Sequence, residues 1–396
     1  MTARSFWKLH GLGNDFVFFD AMEQDLELSA QEVAALCDRH TGIGGDGVIV
    51  VKPSPRPECA GYMHYINADG TLAQMCGNGV RCFAKFLVDH GYIDLRAAQA
   101  GQTAQTEPTT QTAQATQAER TTQTTRTELA AQTGSTERAS RTGRFVADTL
   151  AGPKPITFTI DDAGQLATAT VDMGEPILDP PHIPTTLAAN RTNAEGVAYA
   201  GEASIDSPWD SFAFTCVSMG NPHAVCFLDE NAFAALPAEC FTGLSSATTC
   251  PNTEGEGAQT NGSAAENASP SALTTERSLN TFDVNRIGAF FESHQVFPEK
   301  TNVEFAVVQD RNNIAMRVYE RGCAETHACG TGACATQVAA HLLGLTDNEA
   351  DLHLLGGTLH IALENEHVIM TGPASESFHG TVDPAALITP TERVHS

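Results

Sequence analysis

Positive charge is scarce in this chain. Only 22 Lys and Arg stand against 48 Asp and Glu, for a formal net charge of −26 at pH 7. Proteins that grip nucleic acid present a basic face, so a nucleic-acid partner is not expected. The acidic balance leaves a small anionic ligand open, because a site can be locally positive within an acidic protein; its broad meaning is solubility. Long apolar runs are missing too. None approaches the roughly 20 residues of a membrane span, so no membrane partner is expected. Met1 to Gly13 lacks the apolar core of a secretory signal. The chain is therefore expected in the cytoplasm, with its 11 cysteines reduced. Those cysteines are odd in number and follow no disulfide-framework spacing. No paired CxxC or HExxH array is present, so no metal is expected. Thr41 to Gly47, TGIGGDG, lacks the Lys-Ser/Thr of a phosphate-binding loop and opens no clear helix. It reads either as a tight turn or as a loop facing a substrate.

What is present is a repeat. Cys76-Gly77-Asn78-Gly79 runs into an apolar pattern with Val80, Phe83, Ala84 and Leu87 at i, i+3, i+4 and i+7. Cys329-Gly330-Thr331-Gly332 does the same with Ala335, Val338, Ala339 and Leu342. Each cysteine is thus placed where a helix begins, beside unpaired N–H groups and the positive end of the helix dipole. That setting is expected to lower a thiol pKa and to offer donors to an anion.

Around these helices the chain alternates short strands and turns. Ser29 to His40 reads as a helix with Ser29 and Glu32 forming a capping box. Strands are expected at Phe16–Phe19, Val48–Val51, Met63–Ile66, two flanking Ser218–His223, Val303–Val308 and Ile314–Tyr319. Asp283 to Phe291 reads as a short helix, Thr358–Leu363 with His367–Met370 as a hairpin, and Phe378–Val382 as a last strand. Two polar stretches interrupt the pattern. Residues 97–142 are mostly Thr, Gln and Ala, and 242–280 are rich in Ser, Thr, Asn, Glu and Ala. Neither can bury enough surface to offset its ordering entropy, so both read as disordered insertions. The remainder is expected to be α/β (α+β), in two similar halves, each a curved mixed or antiparallel sheet around its apolar helix.

Two thiols at two helix starts suit a carboxylate whose α-carbon bears one hydrogen. The N–H groups of Gly77, Asn78, Gly330 and Thr331 would hold the carboxylate and stabilise charge developing on it. One thiolate would take the α-proton and the opposite thiol would return one from the other face. His223 in SMGNPH and Glu320 in YERG are candidates to move the thiols' protons. Asn14, Asn67, Asn221 and Asn302 sit in turns beside strands and suit an amino acid; Arg321 suits a second carboxylate. The plainer readings are core cysteines at Cys37, Cys59, Cys82, Cys216, Cys226, Cys240, Cys250, Cys323 and Cys334, a turn histidine at His223, turn asparagines, and a surface ion pair at Glu320 and Arg321.

KLHGLGNDF, NADGTLAQMCGNGVRCFAKF, SMGNPHAV, FPEKTNVEF and YERGCAETHACGTGACAT, in that order, resemble diaminopimelate epimerases, over nearly everything outside the polar stretches. The resemblance implies a cofactor-independent isomerase. It would interconvert LL- and meso-2,6-diaminopimelate on the route to lysine and peptidoglycan cross-links. Cys76 and Cys329 would be the acid/base thiols and His223 and Glu320 their partners. Asn14, Asn67, Gly77, Asn78, Asn221, Asn302, Arg321, Gly330 and Thr331 would contact substrate. It also implies two pseudo-symmetric domains in a homodimer. These are 1–150, carrying the 97–142 insertion and joined by a C-terminal strand at 377–396, and 151–376, carrying the 242–280 insertion. Gly47 departs from the pattern, since some members carry Gln there. Two alternatives stay open: a proline- or hydroxyproline-type racemase of the same fold, and a non-catalytic thiol redox or ligand-binding protein.

Overall fold

The computed structural model describes residues 3–73, 76–99, 142–243 and 277–388. Most of the two polar stretches, and Cys250, lie outside them. In chain order the first part comprises β1 (Arg4–Gly11), β2 (Asn14–Asp20), α1 (Ala30–Cys37), β3 (Gly47–Lys52), β4 (Tyr62–Asn67), α2 (Gly77–Asp89), α3 (Leu95–Gln99), β5 (Thr142–Thr149), β6 (Lys154–Ile160) and β7 (Leu166–Asp172). The short strands β8 (Arg191–Thr192), β9 (Ala198–Tyr199) and β10 (Ala203–Asp206) lead to β11 (Ser211–Ser218), β12 (Pro222–Phe227), α4 (Glu230–Ala235), α5 (Val284–Glu292), β13 (Asn302–Asp310) and β14 (Asn313–Glu320). Then come β15 (Ala324–Thr326), α6 (Gly330–Leu342), β16 (Glu349–Leu354), β17 (Gly357–Glu364), β18 (His367–Gly372), β19 (Ser375–Val382) and α7 (Pro384–Leu387).

The repeat extends far beyond the two cysteine segments. β1 runs antiparallel to β2, β2 parallel to β3 across α1, and β3 antiparallel to β4. After α2, β5 lies parallel to β4, and β6 and β7 follow antiparallel. The second half repeats every sign: β11 against β12, β12 parallel to β13 across α5, β13 against β14. After α6, β16 lies parallel to β14, and β17 and β18 follow antiparallel. The halves are joined where β7 pairs antiparallel with β18. β19 returns to pair with β1 over seven residues from Arg4↔Val382 to His10↔Ser375, starting three residues before the strand expected at Phe378–Val382.

The two central helices match closely. Each has 13 residues, and each ends on a left-handed glycine, Gly91 (φ +77°) or Gly344 (φ +73°). Behind the glycines, Tyr92 N donates to the Leu87 carbonyl and Leu345 N to the Ala340 carbonyl, both at 2.9 Å. This stop satisfies the last carbonyls, and glycine adopts it without a Cβ clash. Val80, Phe83, Ala84, Leu87, Ala335 and Ala339 are all fully buried in one core shared by both helices. A second core lies under α5 and a third under α1, on the outer faces of the two sheets. α1 carries the expected capping box but stops at Cys37, short of His40. Asp38 explains the stop, because its carboxylate accepts from the N–H groups of His40 and Thr41 and turns the chain. No helix among the described residues is long and apolar enough to cross a membrane.

The core cysteines make a testable electrostatic statement. Burial pushes Cys82, Cys216, Cys226 and Cys334 up to about 12, and Cys37 and Cys240 to about 11. An unfolded thiol ionises near about 8.5. Because the folded values are raised, their contribution is whole below the unfolded value and is lost as pH climbs through the folded ones. Urea midpoints should therefore decline progressively as pH rises above about 8.5. A midpoint unchanged well into the alkaline range would contradict this.

Candidate active site

Both cysteines occupy the predicted position. Cys76 is the N-cap of α2 and Cys329 that of α6, each on extended backbone (φ −137° and −115°). Cys329 Sγ accepts from the Gly332 N–H at 3.4 Å and lies 3.5 Å from Thr331 Oγ1. Cys76 is half-buried, and its Sγ donates to Asn14 Oδ1 at 3.6 Å. The two helix tips meet. Asn78 Nδ2, from the first turn of α2, donates to the carbonyl of Ala328 at 3.1 Å, one residue before Cys329. A Cβ on Gly77 would lie 2.8 Å from Met370 Cε, and one on Gly330 would lie 3.1 Å from Met370 Sδ. Glycine at both places lets the tips close on a single methionine.

Glu320 stands at the end of β14, accepts from Thr326 Oγ1 and lies close enough to Cys329 for each to shift the other's charge. Burial raises its pKa, against the lowering effect of Thr326 and Cys329. His223 is not a turn residue, which corrects the plainer reading. It is the second residue of β12, fully buried, with Nδ1 2.6 Å from Glu304 Oε1 and Nε2 3.1 Å from Asn221 Oδ1. Pro222 starts that strand, a place where its missing N–H costs no ladder bond.

The thiol expectation is overturned. Both thiols sit above their ordinary value, Cys329 well above it. Burial is the largest cause for each. The negative Glu320 carboxylate adds to it, and the backbone donors of the first helical turns oppose it without prevailing. A helix start lowers a thiol pKa only while water or a cation shares the charge; here desolvation wins.

The polar residues around the thiols form a connected frame. Asn14 Oδ1 accepts from Asn78 Nδ2 at 3.1 Å, and Asn14 Nδ2 donates to Asp46 Oδ2 at 2.6 Å. Asp46 belongs to the glycine-rich loop, which therefore serves to hold Asn14. Arg39 bonds Asp15 and Asp46 at 2.6 and 2.7 Å, and Lys8 pairs with Asp15. Asn302 Nδ2 donates to the Pro222 carbonyl at 2.9 Å, and its Oδ1 accepts from Arg321 N at 2.9 Å, tying β12, β13 and β14 at the site. Asn67 donates to Thr71 Oγ1 across its own turn. The exposed Arg321 guanidinium donates to the carbonyl of Glu299. Arg81, Asp46 and Glu304 were missed from sequence. Only Arg81 left a trace there, one of three charges on a helix rich in apolar residues. Among the described residues no group of three or more His, Cys, Asp or Glu is placed to hold a metal ion.

A family model described as diaminopimelate epimerase matches residues 6–118 and 272–376. A diaminopimelate epimerase of Agathobacter rectalis is 34% identical over 385 residues, 96% of this chain and 99% of that protein. One of Acetivibrio thermocellus is 32% identical over 380 residues, 96% of this chain and 98% of that protein. The chain belongs to the diaminopimelate epimerase family. Among solved structures, a hydroxyproline epimerase from Agrobacterium vitis covers 97% of this chain and 94% of its own at 12% identity, with a TM-score of 0.53. A phenazine biosynthesis protein of the PhzF family from Bacillus anthracis covers 97% and 100% at 12% identity, with a TM-score of 0.52. These two likenesses establish the shared fold.

Gly47 has no room for a side chain here. A Cβ would lie 2.6 Å from the Ile66 carbonyl oxygen and 2.7 Å from Tyr65 Cε2. The Tyr65 ring fills the space, set edge-on to Phe16 with centroids 5.6 Å apart.

Proposed function

We propose that the protein interconverts LL- and meso-2,6-diaminopimelate by passing the α-proton between Cys76 and Cys329, without a cofactor. One observation carries this: two matched helices, each begun by a cysteine, are clasped tip to tip through Asn78 and Ala328. The α-carboxylate binds where the two sets of first-turn N–H groups face it, at Gly77, Asn78, Gly330 and Thr331. Those donors hold the ground state and stabilise the charge that builds as the α-proton leaves. Glu320 receives and returns the proton of Cys329, and His223 acts as the second relay. Arg321 and the amides of Asn14, Asn67, Asn221 and Asn302 bind the remaining amine and distal carboxylate. Raised thiol pKa values suit this task, because a thiol that resists ionising in a dry site is a strong base once ionised.

The racemase reading loses support to relatives that match the chain across almost its whole length. We further infer the cytoplasm as its place of work, a homodimer as its assembly, and supply of lysine and peptidoglycan precursors as its role. The division into 1–150 with the returning strand and 151–376 follows the same family reading.

Incubating the protein with LL-diaminopimelate in deuterium oxide tests substrate and mechanism together. Deuterium should enter the α-carbon as the meso isomer accumulates. Inversion with retention of the original hydrogen, or turnover of proline alone, would refute the reading.

A further inference from the structure

Glu304 in β13 is fully buried, its Oε1 is 2.6 Å from His223 Nδ1, and its Oε2 is buried without a hydrogen-bond partner. A Cβ on Gly332 would lie 2.8 Å from Glu304 Oε1, so the carboxylate rests against the first turn of α6, where Gly332 N donates to Cys329 Sγ. Burying a carboxylate with one oxygen orphaned is costly, and the internal repeat reveals that packing does not demand it. Gly79 stands in the CGNG segment where Gly332 stands in CGTG. A Cβ on Gly79 would meet Ile49 Cδ1 at 3.3 Å and Phe16 Cζ at 3.7 Å. The strand registers agree: Phe16 pairs with Gly47, two residues before Ile49, as His223 pairs with Asn302, two residues before Glu304. One half fills the place beneath its cysteine helix with Phe16 and Ile49, both fully buried. The other half fills the same place with His223 and Glu304.

We propose that Glu304 is a positioning residue for His223 in the proton transfers at one face of the substrate. The inference rests on the proposed epimerase function. A carboxylate only accepts, so Nδ1 of His223 carries the proton and donates it to Glu304 Oε1. Nε2, 3.1 Å from Asn221 Oδ1, is then the nitrogen that gains a proton from the thiol it serves and returns it in the reverse step, and that amide oxygen accepts the Nε2–H while the imidazolium exists. Nδ1–H stays on Glu304 throughout, and the carboxylate offsets the imidazolium charge when it forms. The matching place under α2 is apolar, so only one of the two faces has this support.

The test uses the full-length protein and its Glu304→Gln variant, which preserves shape and an acceptor while removing the charge. We expect kcat to fall about 10²-fold, the scale of one acid/base group, with KM changed by less than about 3-fold, since substrate contacts are untouched. With α-deuterated substrates, the isotope effect should rise for one direction of turnover only, because only one abstraction step becomes slow. Wild-type kcat in the variant would overturn the proposal. So would a loss with equal isotope effects in both directions, which is the mark of general damage. Nitrogen NMR of the wild-type protein gives an answer independent of the variant's folding: His223 should be protonated at Nδ1 and bonded to a carboxylate. The opposite tautomer refutes the assignment. If the wild-type protein fails to exchange the α-hydrogen of diaminopimelate, the functional reading falls on its own. The tautomer measurement still decides whether Glu304 sets the state of His223.

Discussion

Cys76→Ala and Cys329→Ala should each abolish epimerisation, with kcat reduced by about 10⁴-fold or more, the upper range for one acid/base group. Neither variant should be inert, and the residual chemistry is the sharper measurement. With one sulfur gone, the other can still remove the α-proton from the stereoisomer that presents it and deliver a solvent proton to the same face. Each variant should therefore wash deuterium into one stereoisomer of diaminopimelate without inverting it, and the two variants should choose opposite stereoisomers. Exchange into both isomers by either variant would sink the two-thiol scheme. The setting of the sulfurs, Cys329 buried and Cys76 half-buried, explains why serine should not substitute: desolvation already pushes these thiols up, and a hydroxyl starts far higher.

Arg81→Lys, ordinarily a mild change, should destabilise the protein by about 2–4 kcal/mol, two buried acceptors at about 1–3 kcal/mol each less what water recovers. Arg81 is fully buried in α2. Its guanidinium donates to the Pro373 carbonyl at 3.2 Å, to Met370 Sδ at 3.3 Å and to Asn78 Oδ1 at 2.8 Å. None of the three is a carboxylate. Gly11 and Gly372 leave the space: a Cβ there would stand 3.0 Å from Nη2 and 3.2 Å from Nε. An ammonium cannot span these acceptors, and it leaves a buried charge with fewer hydrogen bonds. Arg81→Met should cost less than Arg81→Lys, because it removes the charge together with its donors. Urea midpoints at constant slope would measure both. A lysine variant as stable as wild type would show that Arg81 does not brace the helix tips.

The sequence carried much of this, for a physical reason. A cysteine before a glycine-bracketed polar residue, followed by apolar residues at helical spacing, is a local pattern, and both helices begin and end where that pattern says. The capping box of Ser29 and Glu32 and the stop at Gly91 are local too. What stayed hidden is set by contacts across the chain. β1 and β16 carry mixed alternation and gain their identity from β19 and β14. Nothing near Glu304 in sequence announces His223, which lies 81 residues away. The sign of the thiol shift was misjudged because a helix start is visible in sequence and the dryness of its surroundings is not. The division of the chain into repeated halves was legible in the two cysteine segments. That the likeness covers every strand pairing around them was not.

The pairing of β1 with β19 sets a schedule for biosynthesis. The first sheet has no closing edge until Ser375–Val382 leaves the ribosome, and the Pro373 carbonyl that receives Arg81 arrives with it. At about 5–20 residues per second, the nascent first half waits on the order of tens of seconds. Over that interval an unpaired strand edge and a buried-type arginine face water, the condition under which folding chaperones are recruited and edge-to-edge aggregation begins. Deletion of Ser375–Val382 would make that wait permanent.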